Sequence, residues 1–313
     1  MPLRAPFPAP FRGVVPPLVT PLTPEGEVDV ASVRRLAEHL IGAGVHGLFL
    51  LGSSGEAAYL TDAQRRTALE AAVETAAGRV PVLAGVIETT TARVLERAQD
   101  AVKAGADALV ATAPFYTRTH PAEIADHFRR LRAGADLPLF AYDIPVAVHS
   151  KLSRDTILAL AADGTLTGLK DSSGDEGSLR RLLAPLRAAA PSFSVLTGAE
   201  LTVDGALLAG VDGVVPGLGN VDAHGYVRLY DAARAGDWDT ARAEQDRLAA
   251  LFAIVDAGDP ARMGGSSSAL GAFKAAVHLQ GIIDCPATAA PQIPLGEAEF
   301  RHVRRHLTEA GLL

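Results

Sequence analysis

The sequence predicts an α/β fold, a (β/α)8 TIM barrel with a small C-terminal helical extension. From Gly13 onward, short β-branched apolar runs alternate with longer Ala-, Leu- and Arg-rich stretches of helical period, the pattern of a parallel α/β protein. Eight such runs occur, and the βα units average under thirty residues, which fits closure into a barrel. After about Ala235 the strand pattern stops. The alternative, an open doubly wound sheet, lacks the Gly-x-Gly-x-x-Gly that would follow its first strand.

In chain order the predicted strands are VVPPLVT from Val14, GLFLLG from Gly47, VPVLAGV from Val80 and ALVATA from Ala108. They continue with LPLFAYD from Leu137, LTGLKD from Leu166, FSVLTG from Phe193 and GVVPG from Gly213. Helices separate them. Thr61 with Gln64 forms a capping box at one helix start, and Gly44, Gly105 and Gly210 fall where helices should end. The chain divides into an N-terminal arm (1–12), the barrel (13–235) and the extension (236–313). In the extension, helices are expected to be broken by a Gly264–Ser268 loop and by Pro286, Pro291 and Pro294.

Composition narrows the partners. The 313 residues are 48% apolar, enough to bury a full core, and the net charge of -7 leaves no broad cationic surface for nucleic acid or anionic lipid. A small-molecule partner is expected. The single cysteine, Cys285, cannot form an intramolecular disulfide, which fits a cytoplasmic protein. The first ten residues resemble neither a signal peptide nor a membrane anchor and read as an arm that docks extended. No run approaches the roughly 18 apolar residues needed to span a bilayer.

A barrel gathers its chemistry at the C-terminal ends of its strands, where four features stand out. Lys170, in TGLKDSSGD, is one of only four lysines; Lys103, Lys151 and Lys274 fall in helix or loop sequence where solvated ammonium groups are expected. An amine enclosed by apolar groups loses hydration of its charged form and becomes a nucleophile toward carbonyls. The alternative is an ion pair with adjacent Asp171. Tyr142, in FAYDIP, ends the preceding strand and is placed to relay protons beside Lys170, or to serve as a core tyrosine. Gly52-Ser53-Ser54-Gly55-Glu56 follows the second strand, where glycines and hydroxyls suit a carboxylate, although such turns are often only turns. Pro114-Phe115-Tyr116 puts a second phenol on the rim, for catalysis or for packing.

Together GSSGE, PFYTR, YDIP and GLKDSSGD resemble, in order and spacing, the dihydrodipicolinate synthase and N-acetylneuraminate lyase family of class I aldolases, over nearly the whole chain from Gly13. The resemblance implies the barrel with its extension, usually a homotetramer. It implies that Lys170 is the Schiff-base lysine and that Tyr142 is the proton-relay tyrosine that also contacts the pyruvate carboxylate. Ser53 and Ser54 match the hydroxyl pair of the carboxylate loop between Gly52 and Gly55, Ser53 also serving the relay. Tyr116 matches the tyrosine that completes the relay from a neighbouring subunit, and Gly198 and Val215 match positions lining the site. The imine on Lys170 is then the electron sink, and no cofactor or metal is expected. The histidines are scattered; His302 and His306 lie at metal-ligand spacing, but in an Arg-rich, exposed setting.

Within that family the synthase carries an arginine five residues after the relay tyrosine, to grip the carboxylate of its aldehyde; here the position is Ala147. A methyl group does not replace a bidentate guanidinium. Glu200, in TGAE, matches the first of two acidic positions by which the neuraminate lyases bind hydroxyls, the second being Leu201. Glu200 is placed either for that role or to cap the following helix. His149, two residues beyond Ala147, is a further polar candidate. The expectation is aldol cleavage or condensation of a 2-keto-3-deoxy sugar acid or related 2-keto acid, with pyruvate and an aldehyde as partners. The alternatives are 4-hydroxy-tetrahydrodipicolinate synthesis, dehydration of a 2-keto-3-deoxy sugar acid, a metal-dependent barrel aldolase, and a non-enzymatic 2-keto acid sensor.

Overall fold

The structure is a computed structural model that describes residues 7–313. All eight predicted strands form, seven inside their predicted runs and β1 beginning one residue before its own, at Gly13. In order they are β1 (Gly13–Val14), β2 (Leu48–Leu50), β3 (Val82–Gly85), β4 (Ala108–Thr112), β5 (Leu139–Asp143), β6 (Gly168–Asp171), β7 (Ser194–Thr197) and β8 (Gly213–Val214). Between them lie α1 (Val30–Gly42), α2 (Asp62–Ala76), α3 (Thr91–Ala104), α4 (Pro121–Gly134), α5 (Pro145–Val148), α6 (Arg154–Ala162), α7 (Glu176–Ala189) and α8 (Val203–Ala209). After β8 come a 3-10 turn (Gly217–Asn220) and α9 (Ala223–Ala235). The extension holds α10 (Trp238–Phe252), a second 3-10 turn (Ala253–Asp256), α11 (Gly265–Leu279) and α12 (Glu297–Glu309).

Every neighbouring pair is parallel, and β1 lies against β8. β1 is short because Pro16 and Pro17 follow it and have no N–H to give a ladder. The ring still closes. A parallel bridge joins Pro17 to Phe49, with Leu18 N–H donating to the Phe49 carbonyl at 2.9 Å and Phe49 N–H to that of Pro16 at 3.0 Å. Buried Asn220, in the turn after β8, holds the segment that continues β1: its Nδ2 donates to the Pro17 carbonyl at 2.9 Å and its Oδ1 accepts from Val19 N–H at 3.1 Å.

Side chains alternate across each strand, and two cores result. One fills the barrel, with Val15, Phe49, Leu83, Val110, Phe140 and Leu196 among its members. The other lies between strands and helices. Phe7 and Phe11 join the inner core, with ring centroids 5.9 and 6.4 Å from Phe140. Phe11 N–H donates to Ser194 Oγ at 2.7 Å, so the latter part of the predicted arm is docked; its first six residues lie outside the described residues. Each fully buried Phe or Leu is worth about 1.5–3 kcal/mol relative to exposure.

Helix punctuation follows the sequence. The Thr61–Gln64 capping box forms on α2, and Gly105 and Gly210 cap α3 and α8 in the left-handed region. Two expectations are corrected. The Gly264–Ser268 run is not a loop: Gly264 is the N-cap of α11 and Gly265 to Ser268 form its first turn. Its hydroxyls stabilise that turn's surroundings, since Ser268 Oγ donates to the Val255 carbonyl at 2.5 Å and Ser267 Oγ accepts from Ile293 N–H at 3.3 Å. Nor is Lys274 solvated. Its side chain is fully buried and ion-paired with Glu56, equally buried, because α11 packs its central turns against the barrel. Among the described residues, no helix is long and apolar enough to cross a membrane.

Candidate active site

Lys170 and Tyr142 are register partners on β6 and β5, so both side chains point into the barrel mouth. Lys170 is 6% exposed and Tyr142 3%. The Lys170 Nζ lies 3.6 Å from the Tyr142 ring centroid and 5.5 Å from that of Phe49. The next residues, Asp143 and Asp171, face the other way. Asp171 Oδ1 accepts from Ser173 N–H at 2.8 Å and its Oδ2 lies 3.8 Å from Lys151 Nζ. Lys151 also pairs with buried Asp143, so it too is engaged rather than simply solvated. The charge partner of Asp171 is therefore Lys151, on the outer face, which leaves the Lys170 amine directed to the aromatic mouth.

The Tyr142 phenol sits 3.4 Å from Ser53 Oγ. Burial by itself would raise the phenol. The Lys170 charge and hydrogen bonds with Lys170, Ser53 and Ser172 outweigh it and hold Tyr142 below its ordinary value of 10.0. A phenol so placed is connected on one side to the amine and on the other to a hydroxyl at the rim, the arrangement that proton relay requires.

Ser53 and Ser54 stand on the turn after β2, and the backbone around them is tight. Leu51 and Glu56, at its two ends, both have φ of 58°, a conformation that non-glycine residues rarely adopt. A Cβ on Gly52 would lie 2.6 Å from the Phe49 ring, so the close approach requires glycine. Thr20 Oγ1 donates to the Gly55 carbonyl at 2.8 Å. Glu56 is fixed by Lys274 and by Ala289 N–H, which donates to Oε1 at 2.7 Å.

The remaining candidates divide. Gly198 lies beside the cluster: a Cβ there would fall 2.0 Å from Ser172 Oγ. Val215 is buried in the inner core. Glu200 does not cap α8, the helix that follows it. Its Oε1 accepts instead from Leu218 N–H at 2.7 Å, in the 3-10 turn after β8, and from the Tyr226 hydroxyl at 3.3 Å. Burial dominates there and pushes the Glu200 carboxyl up to about 7, against the lowering effect of those donors and of Lys170. Tyr116 is 92% exposed, with φ of 77°, so within one chain it does not join the Tyr142 and Ser53 pair. His149 is exposed at the end of α5. His302 and His306 stack at 4.6 Å, with His302 Nε2 3.0 Å from the Ala253 carbonyl oxygen.

A cavity of about 180 Å³ opens beside Ser53 and runs past Thr112, Phe115, Ile144 and Ala147 to Leu270 of α11. None of its lining residues carries a formal charge. Ala147 lines it, so no guanidinium reaches this cavity from that position. Three residues of this region escape the sequence reading. Thr112 was legible in the period-2 alternation of Ala108, Val110 and Thr112; Ser172 had no signal beyond adjacency to Lys170 and Asp171; Lys274 sits in an apolar run, GAFKAAV, but its burial is set by how α11 meets the barrel.

The comparisons agree with this geometry. The profile of the dihydrodipicolinate synthetase family matches residues 10–310. A 4-hydroxy-tetrahydrodipicolinate synthase of Phenylobacterium zucineum is 33% identical, covering 97% of this chain and 98% of its own. A probable 2-dehydro-3-deoxy-D-pentonate aldolase of Escherichia coli is 34% identical, covering 78% and 81%. Among solved structures, YagE, a prophage protein of the dihydrodipicolinic acid synthase family from Escherichia coli, crystallised with pyruvate, superposes with a TM-score of 0.90 at 29% identity, covering 97% of this chain and 99% of its own. With this profile, these relatives and a (β/α)8 barrel whose mouth holds Lys170, Tyr142 and Ser53, the chain belongs to the dihydrodipicolinate synthetase family of lyase-type enzymes.

Proposed function

We propose that the chain is a class I lyase in which Lys170 forms an imine with pyruvate or a pyruvate-derived 2-keto acid. The substrate of cleavage is a 2-keto-3-deoxy sugar acid or a related 4-hydroxy-2-keto acid. The observation that carries this is the pairing of the Lys170 amine with the Tyr142 phenol in a buried mouth whose adjoining cavity has Ala147 and no charged side chain.

In cleavage, Lys170 Nζ attacks the C2 ketone, and the carbinolamine loses water to give a protonated imine. The C4 hydroxyl proton leaves through Tyr142 and Ser53 as the C3–C4 bond breaks. The bond's electron pair moves into the imine to form an enamine, and the aldehyde departs. Protonation at C3 and hydrolysis return pyruvate and the free amine. The imine is the electron sink, so no cofactor or metal enters the scheme. The Ser53 and Ser54 turn holds the substrate carboxylate, and Tyr116, exposed in one chain, completes the relay of a neighbouring subunit in a homotetramer.

Two comparisons support the choice: the relative named as a probable pentonate aldolase and the pyruvate complex of YagE. The synthase relative is as similar, but the cavity offers no cation for the carboxylate of aspartate semialdehyde. A panel of aldehydes with pyruvate tests the assignment. Turnover is expected with uncharged hydroxyaldehydes; strong turnover with aspartate semialdehyde alone would overturn it.

A further inference from the structure

Thr112 closes β4 in register with Tyr142 on β5, so its side chain points into the mouth beside the Tyr142 phenol. Thr112 is 3% exposed, and its Oγ1 is fully enclosed with no hydrogen-bond partner. A buried hydroxyl without a partner is costly, and proteins rarely leave one so. Thr112 itself lines the cavity that holds Ser53 and Ala147, and rotation about χ1, which exchanges its methyl and hydroxyl positions, would turn the hydroxyl from its enclosed place toward it. Tyr59 and Ser266 also line it, while Ile87, Phe115, Ile144 and Val148 offer no side-chain hydrogen bond.

We propose that Thr112 is a specificity-determining residue whose hydroxyl binds an uncharged oxygen of the second substrate, the hydroxyl on the carbon next to the aldehyde. This rests on the assignment of the chain as a pyruvate-dependent lyase. The reasoning is spatial. Tyr142 handles the oxygen at the carbon where the bond forms or breaks, and neighbouring strands stand about 4.8 Å apart. That spacing puts Thr112 opposite the next oxygen along the substrate. The apolar walls and the absence of charge then limit the ligand to a short α-hydroxyaldehyde without an anionic end.

Glycolaldehyde and propionaldehyde differ by a hydroxyl in place of a methyl group and make the test. In wild type with pyruvate, kcat/KM should favour glycolaldehyde. In Thr112→Val, which removes the hydroxyl at nearly constant volume, that preference should fall by about 10- to 100-fold. Thr112→Ser should keep it, which separates the hydrogen bond from packing. In both variants borohydride should still trap pyruvate on Lys170. An unchanged preference in Thr112→Val, an equal loss in Thr112→Ser, or a wild type that forms the adduct but turns over neither aldehyde would overturn the proposal. A wild type that forms no adduct would overturn the lyase assignment itself.

Discussion

Lys274 of α11 and Glu56 of the turn after β2 form an ion pair in which both side chains are completely buried. Lys274 Nζ also donates to the Ala287 carbonyl at 2.7 Å, and Glu56 to its far side accepts from Ala289 N–H at 2.7 Å. The extension is thereby bolted to the turn that carries Ser53 and Ser54. Burial lowers the Lys274 ammonium despite the raising effect of Glu56. Lys274→Met should leave the Glu56 carboxylate unpaired and destabilise the fold by about 3–5 kcal/mol. It should also raise KM for pyruvate more than it lowers kcat. Glu56→Gln combined with Lys274→Met should be milder than Lys274→Met alone, since no buried charge then remains. Urea denaturation and steady-state kinetics on the three proteins check this.

Tyr142→Phe should keep the fold, because the ring packing is unchanged, and should reduce kcat by about 10²- to 10⁴-fold, the range of general acid–base catalysis. The phenol is held below 10.0, and it must be protonated to donate to the carbinolamine. Activity should therefore fall along an alkaline limb that begins below pH 10 and vanishes in Tyr142→Phe. A pH profile of kcat measures it.

Glu200 has a folded pKa of about 7 against 4.5 for a free glutamate. The folded protein holds this proton more tightly than the unfolded chain does. Stability should then be greatest below pH 4.5 as far as this group is concerned, and should fall as pH rises from 4.5 through 7. The full effect is on the order of 3 kcal/mol. Glu200→Gln can still accept from Leu218 N–H and should flatten that dependence, as read from denaturation midpoints between pH 5 and 8 in both proteins.

Ala147 faces the cavity where the resemblance places a carboxylate-gripping arginine. Ala147→Arg should raise kcat/KM for aspartate semialdehyde by about tenfold or more and lower it for uncharged aldehydes. Equal effects on both classes would indicate that the cavity is not the second-substrate site. Competition assays with mixed aldehydes measure the ratio directly.

The eight strands were legible because each is a short apolar run set between longer stretches of helical period, and Lys170 and Tyr142 were legible because they stand at the polar ends of two adjacent ones. Lys274 was not, because which turns of α11 are buried depends on how the extension meets the barrel. The Gly264–Ser268 run read as a loop by composition, yet Ser267 and Ser268 find backbone partners across the extension that local propensity does not reveal. The sequence offers Glu200 either a hydroxyl-binding role or a cap on its own helix, while its donor, Leu218 N–H, lies 18 residues along and one strand over. The lone hydroxyl of Thr112 is a fact about enclosure, which only three dimensions supply.

The central claim is the covalent role of Lys170. Incubation with pyruvate, reduction by borohydride and peptide mass spectrometry test it most directly. One pyruvate-derived adduct is predicted, on the peptide containing Lys170, and none in Lys170→Ala that folds as wild type does. Absence of an adduct from wild type, or an adduct confined to Lys103, Lys151 or Lys274, would contradict the account.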